Sequence, residues 1–200
     1  MLREISESDF KVKASKSAPE LVAACFNNES TLTNQTKLVI VGTITPPNTS
    51  YFYCSYPNRI YGYIDATFKE MNYDEESLKE LKLGLSQYKS KTKTINLLPK
   101  TEIDNRVKKI KDILNSHNIA FLDVMKNAIR TKVSSSDNDI EYYVLAKDKF
   151  DQIPDGAVVI ANSRLTEECV NKIGVKNVNF ISQRFGTKRE WIDAIKEALL

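Results

Sequence analysis

Leu38-Val39-Ile40-Val41-Gly42, running into Thr43-Ile44-Thr45-Pro46-Pro47, decides the fold class. Four consecutive apolar residues, three of them β-branched, end on a glycine. A strand with one wet face alternates apolar and polar residues, whereas a continuous run means that both faces are buried. The same signature returns in Ile119-Ala120-Phe121-Leu122-Asp123-Val124 and in Ala157-Val158-Val159-Ile160-Ala161, the latter entered through a Pro154-Asp155-Gly156 turn. Val175 to Ser182 reads as a fourth strand.

Helical patterns separate these runs. Asn58 to Met71 carries apolar or aromatic residues at 60, 61, 64, 66, 68 and 71, with Asn58 placed to cap. Residues 74–90 place Leu78, Leu81 and Leu85 at helical spacing, and Ile103 to Ser116 is a charged amphipathic helix. Ser163 to Ile173 is stopped by Gly174. Thr187 and Glu190 form a capping box for a last helix, whose stripe is Trp191, Ile192, Ile195 and Leu199. Toward the N-terminus, residues 1–17 read as a loose polar arm and Ala18 to Asn27 as a helix.

Strands alternating with helices predict an α/β fold, a small parallel sheet of about four strands with helices on both faces, in a single domain over residues 1–200. Ligands bind such sheets outside the carboxyl ends of the strands. Four segments meet there: the loop after Gly42, the stretch after Asp123, the Asn162-Ser163 turn and Gln183 to Gly186.

Composition narrows the function. Apolar residues are 42% and charged residues 28% of 200, and the net charge is +3, too small to demand a nucleic-acid partner and no bar to one. Three scattered cysteines make neither a metal pattern nor a disulfide framework, which points to a reducing, cytoplasmic setting. With one histidine, His117, a His-rich metal site is excluded, and any His-dependent triad would have to use it. No metal, cofactor or membrane partner is expected. His117 and Cys54 are read as structural.

The loop after the first strand holds five aromatic residues between Tyr51 and Tyr61. Rings there suit stacking on a flat base, or, for Tyr61, filling the core beneath. An apolar strand, Gly42-Thr43, a Pro-containing turn, the pair Phe52-Tyr53 and then Pro57-Asn58-Arg59-Ile60-Tyr61 resemble the uracil-DNA glycosylase superfamily, most of all its hypoxanthine-DNA glycosylase-like branch. Ile119 to Val124, Ala128, Arg130 and Ser135-Ser136-Asp137-Asn138-Asp139-Ile140 are similar to a second stretch of that family, and Val158 to Ile173 follows in the same order. The matches run from Leu38 to the C-terminus, with residues 72–110 aligned poorly.

The resemblance implies a three-layer αβα sandwich and a DNA base-excision glycosylase, which flips a deaminated or modified base and hydrolyses its N-glycosidic bond. It implies that Asn58, with Thr45, serves the attacking water, and that Phe52 and Tyr53 stack on the base. It further implies that Asp123 accepts from a ring N–H and that Ser135 and Asp137 shape the pocket. Gln183, Arg184, Lys188 and Arg189 are the expected phosphate contacts, partly through a helix N-terminus. Two motifs depart from the family. Thr45 stands where Asp or Asn is usual, and Pro47 offers no N–H. The last loop, Ile181-Ser182-Gln183-Arg184-Phe185-Gly186-Thr187, lacks the usual histidine or serines. Two alternatives therefore stay open: a catalytically impaired member that binds nucleic acid or a nucleotide, and an N-glycosidase acting on a small nucleoside.

Overall fold

The computed structural model describes residues 2–25, 30–44, 59–73, 100–133 and 136–200. In chain order the elements are β1 (Arg3–Glu4), α1 (Glu7–Ala14), β2 (Val22–Ala24), β3 (Leu38–Gly42), α2 (Arg59–Glu70), α3 (Lys100–Ser116), β4 (Ile119–Asp123) and β5 (Met125–Arg130). Then come a 3-10 turn (Asp137–Asp139), β6 (Ile140–Leu145), α4 (Lys147–Phe150), β7 (Val158–Ala161), α5 (Arg164–Ile173), β8 (Val178–Phe180) and α6 (Lys188–Leu199).

The parallel sheet has the order β4-β3-β7-β8. Ile40 pairs with Phe121 on one side and Ile160 on the other, so β3 is central. Strand parity sorts its residues. Leu38 and Ile40, with Ile119, Phe121 and Ile160, face a layer built by Ile60, Tyr61, Ile64 and Phe68 of α2, Ile110 and Leu114 of α3, and Trp191 and Ile195 of α6. Val39 and Val41, with Ala120, Leu122 and Val159, face the opposite way onto Cys169 and Val170 of α5 and onto Met125, Ala128, Ile140, Tyr143 and Leu145. All five residues of β3 and all five of β4 are buried, as the unbroken apolar runs require.

The second layer is richer than expected. Besides α5 it contains another sheet, β1-β6-β5-β2, in which β5 is antiparallel to β6 and to β2. Only Val124 separates β4 from β5, and its N–H donates to Gly42 O at 2.9 Å while its carbonyl accepts from Ala146 N at 3.0 Å. The chain thus passes directly from one sheet to the other. This sheet corrects two expectations. Residues 18–27 were expected to be helical, yet Pro19–Leu21 makes one 3-10 turn and Val22–Ala24 is a strand. The open edge of β5 supplies the ladder, and Ala23 opposite Ala128 enters the core. Residues 1–17 were expected to be a loose arm, yet β1 pairs with β6, and α1, capped by Ser6, seats Phe10 against Ile129 and Val144. A single buried residue on α1 leaves almost no periodicity to read.

The end signals of the two C-terminal helices act as read, while the strand expected over Val175 to Ser182 is confined to Val178–Phe180. Ser163 caps α5 by accepting from Thr166 N, and Gly174 ends it at φ 93°. The Thr187–Glu190 capping box opens α6. The helix expected over 74–90 lies outside the described residues. His117 stacks on Tyr73 at 4.3 Å between ring centres, at the amino end of β4 and far from the ligand end.

Because Ile40 is fully buried in the central strand, Ile40→Ala should cost about 2–5 kcal/mol of stability. Val12→Ala, at a half-exposed position on α1, should stay within about 0.5 kcal/mol. Urea denaturation midpoints of the two variants check both.

Candidate active site

The carboxyl ends of β3, β4 and β7 carry a concentration of buried polar side chains that a packed core does not need. Thr43 is 4% exposed, Asp123 is 0% exposed and Thr166 is 0% exposed. Thr43 follows β3 directly; Asn162 and Ser163 follow β7; Asp137 comes from the 3-10 turn between β5 and β6.

Thr43, Asp137, Asn162, Ser163 and Thr166 form one hydrogen-bonded cluster. Thr43 Oγ1 donates to Asp137 Oδ2 at 2.8 Å and lies 3.0 Å from Thr166 Oγ1. Ser163 and Thr166 hydroxyls are 2.8 Å apart, and Ser163 Oγ reaches Asp137 Oδ2 at 3.4 Å. Thr166 Oγ1 donates to Asn162 Oδ1 at 3.4 Å, and Asn162 Nδ2 donates onward to Gln183 Oε1 at 3.3 Å. Gln183 N donates to Asn162 O at 3.0 Å, which ties the last loop to the end of β7. Behind Asp137 the buried guanidinium of Arg130 donates from Nη1 to Ser136 O at 2.7 Å and so fixes the turn that carries the carboxylate.

Burial pushes the Asp137 carboxyl above the usual carboxylate range; the Thr43 hydrogen bond, the Arg130 charge and the Ser163 hydrogen bond oppose that in part. Burial also pushes the Cys169 thiol up to about 11, so it is an inert packed group at neutral pH.

Of the residues expected at the site, Asp123 and Asp137 are both found at this end of the sheet. Asp123 closes β4 opposite Gly42, fully buried. Thr45, Phe52, Tyr53, Asn58 and Ser135 lie outside the described residues. The expected phosphate contacts divide. Arg184 and Lys188 are exposed, whereas Gln183 is half-buried against Asn162. Arg189 is engaged elsewhere: its Nε donates to Asp193 at 2.9 Å, and its Nη1 lies 3.4 Å from Glu70. Sequence reasoning missed Thr43, Asn162, Thr166 and Arg130 as members of one cluster. The available signal was a hydroxyl or amide immediately after each of two buried strands, where a loop needs no buried polar group.

The last loop has a tight seat. Gly186 N donates to Ser182 O at 2.8 Å, and a Cβ on Gly186 would meet that oxygen at 2.5 Å and Trp191 Nε1 at 3.2 Å. Only glycine lets the backbone pass so close. Phe185, on the crest of the same loop, is 80% exposed, and the Arg184 guanidinium lies 5.2 Å from its ring centre.

The solution NMR structure of a putative uracil DNA glycosylase from Methanosarcina acetivorans superposes on this chain with a TM-score of 0.51 at 15% identity, covering 88% of this chain and 98% of that one. The chain has a uracil-DNA glycosylase-like fold. No protein-family model and no curated protein matches the sequence. Among the described residues no helix is long and apolar enough to cross a membrane, and no group of three or more His, Cys, Asp or Glu side chains could hold a metal ion.

The raised Asp137 pKa has a definite pH consequence. The folded state holds this proton more tightly than the unfolded state, whose value is near 3.8. The stabilising contribution is therefore complete below 3.8 and disappears as pH rises through the folded-state pKa. Asp137→Asn cannot ionise. The stability of the wild type relative to this variant should fall as pH rises from below 3.8 to neutrality, as measured by urea denaturation across that range.

Proposed function

We propose that this protein is a DNA base-excision glycosylase, which flips a deaminated or modified base toward the carboxyl ends of β3, β4 and β7 and hydrolyses its N-glycosidic bond. The observation that carries the reading is that a fully buried carboxyl, Asp123, and the Thr43–Asp137 hydrogen bond both lie at the carboxyl end of a parallel sheet in a uracil-DNA glycosylase-like fold. A carboxylate in so dry a place gives a strong, directional acceptor for a ring N–H, and the same dryness penalises any base that cannot donate there.

In this reading Phe52 and Tyr53 stack on the flipped base, and pocket stacking offsets part of the few kcal/mol that unstacking costs. Asn58 holds the attacking water through its amide oxygen, with the Thr45 hydroxyl as a second hydrogen-bond partner. Cleavage builds positive charge on the sugar and negative charge on the leaving base, so the catalyst must position water and supply donors where that charge develops. Ser135 and Asp137 shape the wall. Arg184 and Lys188, near the start of α6, meet phosphate; Arg189 joins them by giving up Asp193 and Glu70. Phe185 is exposed beside a cation, which suits an apolar side chain lying against base steps beside the target.

A second reading draws on the Thr45-Pro46-Pro47 turn and on the engaged state of Arg189. It is a protein of this fold that binds nucleic acid or a nucleotide without turnover, and it predicts salt-sensitive binding with no product. An N-glycosidase on a free nucleoside would instead bind the nucleotide in preference to DNA.

The test is base release from duplex and single-stranded DNA carrying uracil, hypoxanthine, xanthine or a modified cytosine. Release from at least one substrate is expected. Asn58→Ala should lower the single-turnover rate by about 10²–10³-fold in a folded protein. Failure to release any of these bases would refute the glycosylase reading and favour the binding one.

A further inference from the structure

The hydroxyl cluster converges on one carboxylate oxygen. Thr43 Oγ1 and Ser163 Oγ both donate to Asp137 Oδ2, at 2.8 Å and 3.4 Å. Thr166 Oγ1 lies between the two hydroxyls, 3.0 Å from Thr43 Oγ1 and 2.8 Å from Ser163 Oγ, and Thr166 N donates to Ser163 Oγ at 3.1 Å as the cap of α5. The cluster spans three chain segments that share no covalent neighbour: the root of the loop after β3, the start of α5 and the turn held by Arg130.

We propose that Asp137 is a positioning residue, the shared acceptor of the Thr43 and Ser163 hydroxyls, which locks the residue after β3 onto the first turn of α5. Thr43 is the point of leverage. Its carbonyl accepts from Met125 N at 3.0 Å, so the residue is held on its backbone side by the strand after β4 and on its side-chain side by Asp137. Only Ile44 separates it from Thr45. A loose Thr43 frees the root from which the proposed water-holding residues extend, and small displacements of a catalytic group cost large factors in rate. Asp137 then acts through Thr43 and need not touch a base. The catalytic half of this proposal rests on the glycosylase reading; the locking half does not.

Amide hydrogen exchange on the intact chain separates the two. Thr43→Val keeps the shape of the side chain and removes the hydroxyl; Thr43→Ser keeps the hydroxyl; Asp137→Ala removes the acceptor. Thr43→Val and Asp137→Ala should each lower protection of the Met125 and Thr166 amides by about tenfold, while Thr43→Ser restores it and the amides of β7 stay protected. On a cleavable substrate the same two variants should lose at least tenfold in single-turnover rate with little change in DNA affinity, and Thr43→Ser should recover the rate. Wild-type protection at Met125 and Thr166 in both Thr43→Val and Asp137→Ala would overturn the proposal, as would loss in one without the other. If the wild type releases no base, the exchange pattern still decides whether the lock exists. If protection falls and the rate does not, the positioning role is refuted.

Discussion

The strand Leu38–Gly42 touches no water on either face, and most of the molecule is a response to that constraint. An all-buried strand must have both ladder edges paired and both side-chain faces covered. β4 and β7 satisfy the edges in strict parallel register. Three helices cover the Leu38 and Ile40 face, and α5 with the second sheet covers the Val39 and Val41 face. Such close cover leaves the strand ends as the one place where the chain can leave the layer. Polar side chains gather there because backbone and loop groups lose their water without an automatic ladder partner.

That crowding explains the character of the site. Thr43, Asn162, Ser163 and Thr166 bond to one another, and Asp137 accepts from Thr43 and Ser163 at a cost in ionisation that burial imposes. The cluster is thus better suited to holding loops than to attacking a substrate. Asp123 closes β4 opposite Gly42 and is fully buried. The rim has a different chemistry. Arg184, Phe185 and Lys188 are exposed on or near a loop whose own geometry is rigidly set by Gly186 under Trp191. A rigid crest bearing a cation and an exposed ring suits contact with a charged, stacked polymer, whereas a small nucleoside would need only the interior.

Periodicity and end signals determined a large share of this architecture unaided. The four parallel strands, the helices after β7 and β8 with their Ser163 and Thr187 caps, and the location of the ligand end all follow from local chemistry: β-branched runs, glycine stops and hydroxyls placed to meet helix N–H groups. Asp123 and Asp137 were singled out through resemblance, as residues of one stretch. Tertiary structure decided the rest. Val22–Ala24 carries apolar residues at helical spacing yet forms a strand, because the open edge of β5 offers hydrogen bonds that a short helix could not equal. Arg189 sits at a helix start like a phosphate ligand yet pairs with Asp193 and Glu70, since a charge chooses its partner by distance in space. The cluster around Asp137 joins residues separated by up to 123 positions, and no short window of sequence contains it. Local patterns report which residues want burial or a cap; which buried hydroxyl meets which carboxylate is set only when distant strand ends are brought together by packing.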